Sequence, residues 1–344
     1  MKPIKFGKIT ISDNKPVVII AEVACEHKGD MRSAKRLIRA TKKSGADIVK
    51  FQLHVPEAEM VPNSIKFWAG PMDDVLKKVN FGKLEQHKEL KQYCKELDIQ
   101  YLCTPFCMEA SDILEQAGVD AYKIGSGELT NLPMLRHIAR KKKPMIVSTG
   151  MSTMNEIRDA VTVLKNERAN FMLTHCLSEY PADYENMNLG LIPELRKKFG
   201  LMIGLSDHSR EIYSALAAVA LGANLIEKHF TIRDLHGPDD IVSLDPEEFK
   251  NMVSAIRKIE MALGTKKQIS KRERVVRDWA HHSVVAAREI KSGEKLSLKN
   301  LAPKRPGRGI EAKYLDALYS KKLLGRKAKH SLIQNTILQW HDIE

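Results

Sequence analysis

Apolar residues in the first 264 positions gather into short, nearly continuous runs separated by longer stretches of mixed polarity. Eight runs stand out: 17–24 (VVIIAEVA), 48–53 (IVKFQL), 100–106 (QYLCTPF), 121–125 (AYKIG), 145–149 (MIVST), 171–176 (FMLTHC), 202–207 (MIGLSD) and 225–230 (LIEKHF). Runs of this length that stay apolar at successive positions predict strands buried on both faces. Between them, 31–45, 83–98, 134–143, 153–167 and 210–223 carry apolar residues at helical spacing, as does 247–264 after the last run, and several of these stretches end in glycine. Most strand starts are 21 to 31 residues apart, the length of one β/α unit; the exception is the 52-residue step from the second run to the third. That step holds a Pro/Gly-rich insertion, MVPNSIKFWAGPMDD (60–74). Eight such units predict an α/β fold, a (β/α)₈ TIM barrel. The alternative, an open doubly wound sheet, would want a glycine-rich phosphate loop after the first strand, where the chain instead reads EVACEHKGD.

The pattern changes after residue 264. Residues 265–279 are charged and poor in apolar residues, as suits a linker. Residues 280–344 have short strands and Ser-Gly and Pro-Gly turns, which predicts a small β-rich domain after the 1–264 barrel. The net charge of +13 is unevenly placed: residues 1–264 hold 37 bases against 35 acids, and the excess lies beyond them. No helix-turn-helix, RNP or finger pattern accompanies that excess, so no nucleic-acid partner is expected; a phosphorylated substrate explains a local positive field as well. The five cysteines have neither disulfide-framework nor zinc-ribbon spacing. The opening MKPIKFGKIT lacks an apolar signal core, and no apolar run reaches the ~20 residues of a membrane span. A cytoplasmic chain with no membrane partner is expected.

Barrel enzymes work at the C-terminal ends of their strands. Those ends supply Glu22; Lys50 and Gln52; Thr104; Lys123, Ser126 and Glu128; Ser148; His175; Ser206, Asp207 and His208; and Lys228 with His229. Lysine inside a buried strand is costly unless it is paired or meets a ligand. His208 and His229 close adjacent strands, so they read either as ligands of a divalent metal or as hydrogen-bonded rim histidines. Glu22 reads as a base on water, as a partner of a metal ligand, or as a salt-bridge partner of Lys50 or Lys228. Lys50, Lys123, Thr104, Ser126 and Ser148 suit a phosphate cradle, while either lysine also suits Schiff-base chemistry. Cys176 follows His175, but strand neighbours face opposite ways, so these two should not pair.

Ten motifs occur in order: IAEVACEH (20–27), VKFQ (49–52), TPF (104–106), KIGSGELTN (123–131), STGM (148–151), HCLSEYPA (175–182), GLSDHS (204–209), IEKHFT (226–231), GPDD (237–240) and KRPGRGI (304–310). Together they resemble the N-acetylneuraminate (sialic acid) synthase family, whose members join a metal-dependent barrel to a C-terminal antifreeze-like (SAF) domain. The resemblance implies condensation of phosphoenolpyruvate with an N-acylated aminosugar such as N-acetylmannosamine, with release of phosphate. The legionaminic and pseudaminic acid synthases, which take 6-deoxy aminosugars, are the alternative within the family. A Schiff-base aldolase and an inactive carbohydrate-binding barrel are the alternatives outside it. The resemblance further implies that His208 and His229 bind a divalent metal, Mn²⁺ first and Mg²⁺ or Co²⁺ otherwise, with Glu22 near metal-bound water. Lys50, Gln52, Thr104, Lys123, Ser126, Ser148, Ser178 and Tyr180 would hold phosphoenolpyruvate, with Ser206 also on the substrate side. Glu128 and Asp239 would bind the sugar. Arg305 would reach the N-acyl group in trans within a domain-swapped homodimer. Two departures fall on the acceptor side: Glu26 stands where the family usually has asparagine, and 60–74 departs from the family's usual insertion.

Overall fold

The structure is a computed structural model that describes every residue except Trp68, Ala69, His236 and Pro238. Parts of the 60–74 insertion and of the GPDD motif therefore lie outside the described residues. The chain divides into two units, Met1–Gly264 and Thr265–Glu344.

The first unit contains eight parallel strands: β1 (Val18–Ala24), β2 (Ile48–Leu53), β3 (Gln100–Pro105), β4 (Tyr122–Ile124), β5 (Met145–Ser148), β6 (Phe171–Cys176), β7 (Ile203–Asp207) and β8 (Leu225–His229). They pair in the order β3-β2-β1-β8-β7-β6-β5-β4. The two ends of this ladder, β3 and β4, lie side by side, giving a near-closed barrel. Helices α1 (Met31–Lys43), α2 (Leu84–Glu96), α3 (Met108–Gln116), α4 (Leu132–Arg140), α5 (Met154–Asn166), α6 (Leu191–Phe199), α7 (Tyr213–Ala220) and α8 (Pro246–Ala262) follow the strands in turn. Their starts obey local chemistry. Asp30 caps α1 at Ser33, Thr153 and Glu156 form a capping box on α5, and Asp245 with Glu248 does so on α8, where Pro246 takes the first helical position.

The alternation of side chains along the strands decides everything that follows. One parity faces outward: Ile19, Val49, Phe51, Cys103, Val147, Leu173, Leu205 and Ile226 join the core that the helices cover. The other parity faces the barrel axis. Near the N-terminal ends it is apolar, with Ile20, Ile48, Leu102, Ile146, Met172, Met202 and Leu225 forming a second core. A feature absent from the sequence-based reading closes that end. Residues Ile4–Phe6 and Ile9–Ile11 pair as an antiparallel hairpin, and their isoleucines and Phe6 enter the same core.

In the second unit, α9 (Lys271–Ala280) forms inside the segment expected to be a linker, started by a Ser270–Glu273 capping box. The strands β9 (Ser283–Ala286) and β10 (Leu301–Lys304) pair antiparallel over a compact core that includes Val284, Ile290, Leu296, Leu323 and Leu338. All five cysteines are buried and free. No helix among the described residues is long and apolar enough to cross a membrane.

Candidate active site

Toward the C-terminal ends of the strands, the inward parity turns polar. Glu22, Lys50 and His229 come into register across β8, β1 and β2, and Gln52 stands beside Thr104 across β2 and β3. These side chains line a cavity of about 320 Å³.

At its floor are four buried charges. Lys50 Nζ lies 3.0 Å from Glu22 Oε2 and 3.2 Å from Glu227 Oε1. Lys123 Nζ lies 3.6 Å from the same Glu227 oxygen. Lys50 also donates to Thr104 Oγ1 (3.2 Å), Gln52 to Glu22 Oε1 (2.9 Å) and Ser206 to Glu227 Oε1 (2.9 Å). Burial disfavours each charge, and the neighbours decide the outcome. Lys50 is raised despite burial, because Glu22 and Glu227 both face it. Glu227 would be raised by burial, but Lys123 and Lys50 bring it down to about 2. Lys123 is lowered, burial outweighing the attraction of Glu227, and Glu22 is raised, burial outweighing that of Lys50. Glu227 Oε2 has no hydrogen-bond partner among the described residues, an acceptor left facing the site.

Glu227 is absent from the sequence-based candidates. The signal for it was parity: the residue that shares a face with His229 is 227, not 228. Lys228 points outward and pairs with Asp207 at 3.1 Å, both fully buried, and Ser214 on α7 donates to the same carboxylate. His175 also faces outward, with Nε2 at 2.6 Å from the Met187 carbonyl. These three strand-end residues brace strand to helix and to connecting loop and do not line the cavity.

One wall carries hydroxyls. Ser126 Oγ donates to Ser148 Oγ (3.0 Å) and accepts from the Gly150 amide (3.1 Å), with Ser178 and Cys176 alongside. Gly150 packs directly against these hydroxyls: a Cβ would stand 2.3 Å from Ser178 Oγ and 2.6 Å from Ser126 Oγ unless they moved. Hydroxyls and an amide converging beside Lys123 make an anion cradle. Cys176 faces inward and finds a different imidazole from the one beside it in sequence: His208 Nδ1 lies 3.8 Å from its sulfur. Burial would raise this thiol, but His208 leads the contacts that lower it to about 6. Two residues beyond Ser126, burial pushes Glu128 up to about 7, and its Oε2 has no partner among the described residues.

The rim holds Tyr180, His208, His229 and Asp239. The His208 and His229 ring centroids are 5.4 Å apart. His208 Nδ1 lies 2.7 Å from the Leu177 carbonyl, which only accepts, so Nδ1 carries a proton, while Nε2 faces Tyr180 OH at 2.9 Å. A carbonyl on the far nitrogen is the usual way an imidazole is oriented toward a metal. His229 is pushed well below its ordinary value by burial and by His208, which keeps it neutral. Its buried Nδ1 lacks a hydrogen-bond partner among the described residues, and Asp239 Oδ2 lies 3.6 Å away. Among the described residues no three His, Cys, Asp or Glu side chains form a ready-made ligand set. His208 is held above its ordinary value by Cys176 despite burial; its neutral form, oriented by a carbonyl, would join the orphaned and neutral His229 in holding a divalent ion that takes its remaining donors from oxygen.

Thirteen of the fifteen expected site residues thus line one cavity, and Asp239 stands at its edge beside His229. Arg305 belongs to the second unit, its guanidinium 5.9 Å from the Trp279 ring centroid. Two further neighbours bear on the site, Phe106, which was not foreseen, and Glu26, expected on the acceptor side. Phe106 lines the cavity, and the His54 ring stacks on it at 4.0 Å. Glu26 is buried behind the rim, accepting from Thr231, Gly237 and Asp239. Burial leads the causes that raise Glu26 to about 7, so its carboxylate is ionised above neutrality.

The NeuB family model matches residues 37–268, and the SAF domain model matches residues 281–344. The chain belongs to the NeuB family. It is 42% identical to the N,N'-diacetyllegionaminic acid synthase of Campylobacter jejuni subsp. jejuni serotype O:2 over 87% of this chain and 93% of that protein. The enzyme of the same name from Legionella pneumophila is 37% identical over 95% of this chain and 94% of the relative. Among solved structures, the N-acetylneuraminic acid synthetase of Leptospira borgpetersenii serovar Hardjo-bovis, in complex with citrate, superposes with a TM-score of 0.73 at 33% identity, covering 80% of this chain and 95% of that one. These relatives are sialic and nonulosonic acid synthases, and membership of their family makes this chain an enzyme.

Proposed function

We propose that this NeuB-family protein condenses phosphoenolpyruvate with an open-chain N-acylated aminosugar and releases phosphate to give a 2-keto nonulosonic acid. The observation that carries the reading is the buried Glu22–Lys50–Glu227–Lys123 quartet under a hydroxyl wall, with two imidazoles at the rim. An anionic donor needs fixed cations that stay charged in a water-poor site, and Lys50 is such a group. The names of the Campylobacter and Legionella relatives favour a 6-deoxy diacetamido acceptor over N-acetylmannosamine.

In this reading Lys50, Lys123, Thr104, Ser126, Ser148 and Ser178 hold the phosphate and carboxylate of phosphoenolpyruvate. Gln52, Tyr180 and Ser206 steady the groups around them, and Glu128 and Asp239 bind the sugar. The donor's C3 attacks the acceptor aldehyde, forming the new C–C bond while the aldehyde oxygen takes a proton. Water, oriented by Glu22, adds at the resulting cationic C2, and its proton passes to that carboxylate. Collapse to the ketone breaks the C2–O bond, and phosphate leaves with the bridging oxygen. His208 and His229 would hold a divalent ion, Mn²⁺ first and Mg²⁺ or Co²⁺ otherwise, which supplies Lewis-acid charge to the acceptor oxygen. Arg305 would approach the N-acyl group from the partner of a homodimer.

The test is to incubate the full chain with Mn²⁺, bridging-¹⁸O phosphoenolpyruvate and a panel of aminosugars. The panel is N-acetylmannosamine, its 6-phosphate and 2,4-diacetamido-2,4,6-trideoxymannose. The expected result is ¹⁸O-labelled phosphate and a keto acid with the deoxy sugar, lost on chelation and restored by Mn²⁺. Borohydride should trap nothing on Lys50 or Lys123. Absence of phosphate release with every sugar would overturn the reading.

A further inference from the structure

We propose that Glu26 is a positioning residue for the acceptor: its carboxylate latches the backbone that carries Asp239 and so sets where Asp239 stands beside His229. The inference rests on the reading above for the identity of the acceptor, but the latch itself is a matter of geometry. Glu26 follows the end of β1, where the register shifts between Glu22 and Ala24 and Ala24 takes a positive φ of 47°. That turn sends the Glu26 side chain inward, where it is fully buried. Its Oε1 accepts from the Asp239 amide at 2.9 Å. Its Oε2 accepts from the Gly237 amide at 3.0 Å and from Thr231 Oγ1 at 3.1 Å. Three donors thus meet two oxygens, and the species that accepts at both oxygens is the carboxylate.

The segment after β8 is tied at its ends without Glu26: Thr231 N donates to the Leu244 carbonyl (3.1 Å) and Leu244 N to the His229 carbonyl (2.9 Å). Between those ties, Glu26 holds the backbone at Gly237 and Asp239. The fit is close. A Cβ on Gly237 would stand 2.1 to 2.3 Å from the Glu26 carboxylate atoms, so position 237 must be glycine for the latch to close. Asp239 Oδ2, 3.6 Å from His229 Nδ1, is thereby fixed at the rim. Glu26 does not line the cavity, so its effect on the substrate passes through Asp239.

Glutamine tests the latch with little change of shape. It offers one acceptor oxygen and one NH₂, so whichever way the amide turns, a donor faces a backbone N–H. Full-length E26Q and G237A should raise the acceptor KM by roughly tenfold or more at pH 8, with the phosphoenolpyruvate KM within about twofold of wild type. E26D, which keeps two acceptor oxygens on a shorter arm, should retain more acceptor affinity than E26Q. Hydrogen exchange, read without turnover, should speed up in peptides covering 231–245 of E26Q and stay unchanged over 48–53 and 121–126. Unchanged acceptor KM, or both KM values rising together, would overturn the inference, as would unchanged exchange over 231–245. If wild type proves inactive with every sugar, the proposed reaction falls, and the exchange result alone decides the latch.

Discussion

At the scale of single residues, Glu227 is the group on which the site balances. It faces both Lys50 and Lys123, and without it two buried ammonium groups share Glu22 alone. Removing one partner of a buried ion pair typically costs roughly 3–5 kcal/mol, because the remaining charge stays desolvated. E227Q should therefore lower thermal stability measurably and cut kcat/KM for phosphoenolpyruvate by about a hundredfold or more, the two ammonium groups being mispositioned for the donor. The pH dependence has a definite sign. A carboxyl depressed from 4.5 to about 2 contributes stability that is complete above 4.5 and is lost as the pH falls toward 2. Denaturant melts from pH 6 to pH 2.5 should show wild type losing more stability than E227Q below pH 4.5, so the gap between them narrows; a constant gap would refute this. The sequence made Lys50, Lys123, His208 and His229 visible because charged or titratable residues stand out in apolar runs. It hid Glu227 behind its neighbour Lys228, and only the two-residue period of the strand separates an axial carboxylate from a bracing lysine.

At the scale of elements, the eight strands were legible because burial on both faces leaves few polar positions to blur a run. The N-terminal hairpin was less so. Its three-residue strands alternate Ile-Lys-Phe and Ile-Thr-Ile, a period-2 signal too short to stand against noise, and its role as a barrel floor depends on contacts with residues up to Leu225. Helix α9 hid in a charged segment because a capping box, not an apolar stripe, marks its start. Two glycines on these elements make opposite predictions. In β7, a Cβ on Gly204 would meet the Leu225 carbonyl of β8 at 2.7 Å, and that backbone yields only if the strands part. G204A should cost roughly 1–3 kcal/mol of stability, measured by denaturant unfolding. After β5, the obstacles to a Cβ on Gly150 are the hydroxyls of Ser126 and Ser178, which can rotate away. G150A should leave the melting temperature within a few degrees of wild type yet raise the phosphoenolpyruvate KM by roughly tenfold, because the rotated hydroxyls no longer form the cradle. A G150A protein with normal donor KM would refute the cradle.

At the scale of the whole molecule, the composition shifts after residue 264, and the contacts divide the chain into Met1–Gly264 and Thr265–Glu344. The proposed homodimer, with Arg305 acting in trans, was not legible from residue patterns because it depends on surfaces meeting between chains. All the residues lining the cavity come from the first unit, while Arg305 is carried by the second. A mixing experiment separates the two arrangements. E22Q would disable the barrel and leave Arg305 intact; R305A would leave the barrel intact and remove the guanidinium. Each variant alone should be nearly inactive. If Arg305 acts in trans within a dimer, the R305A barrel receives its arginine from the E22Q partner. Random reassortment then makes about half the dimers mixed, each with one complete site, so about a quarter of wild-type activity returns. If Arg305 served its own barrel, every mixed dimer would pair a barrel lacking Glu22 with its own arginine and an intact barrel with none, and activity would stay at the level of the separate variants. Subunit exchange must be shown in parallel by mass spectrometry of differently tagged copies; exchange without recovery would refute the trans arrangement and leave the barrel chemistry untouched.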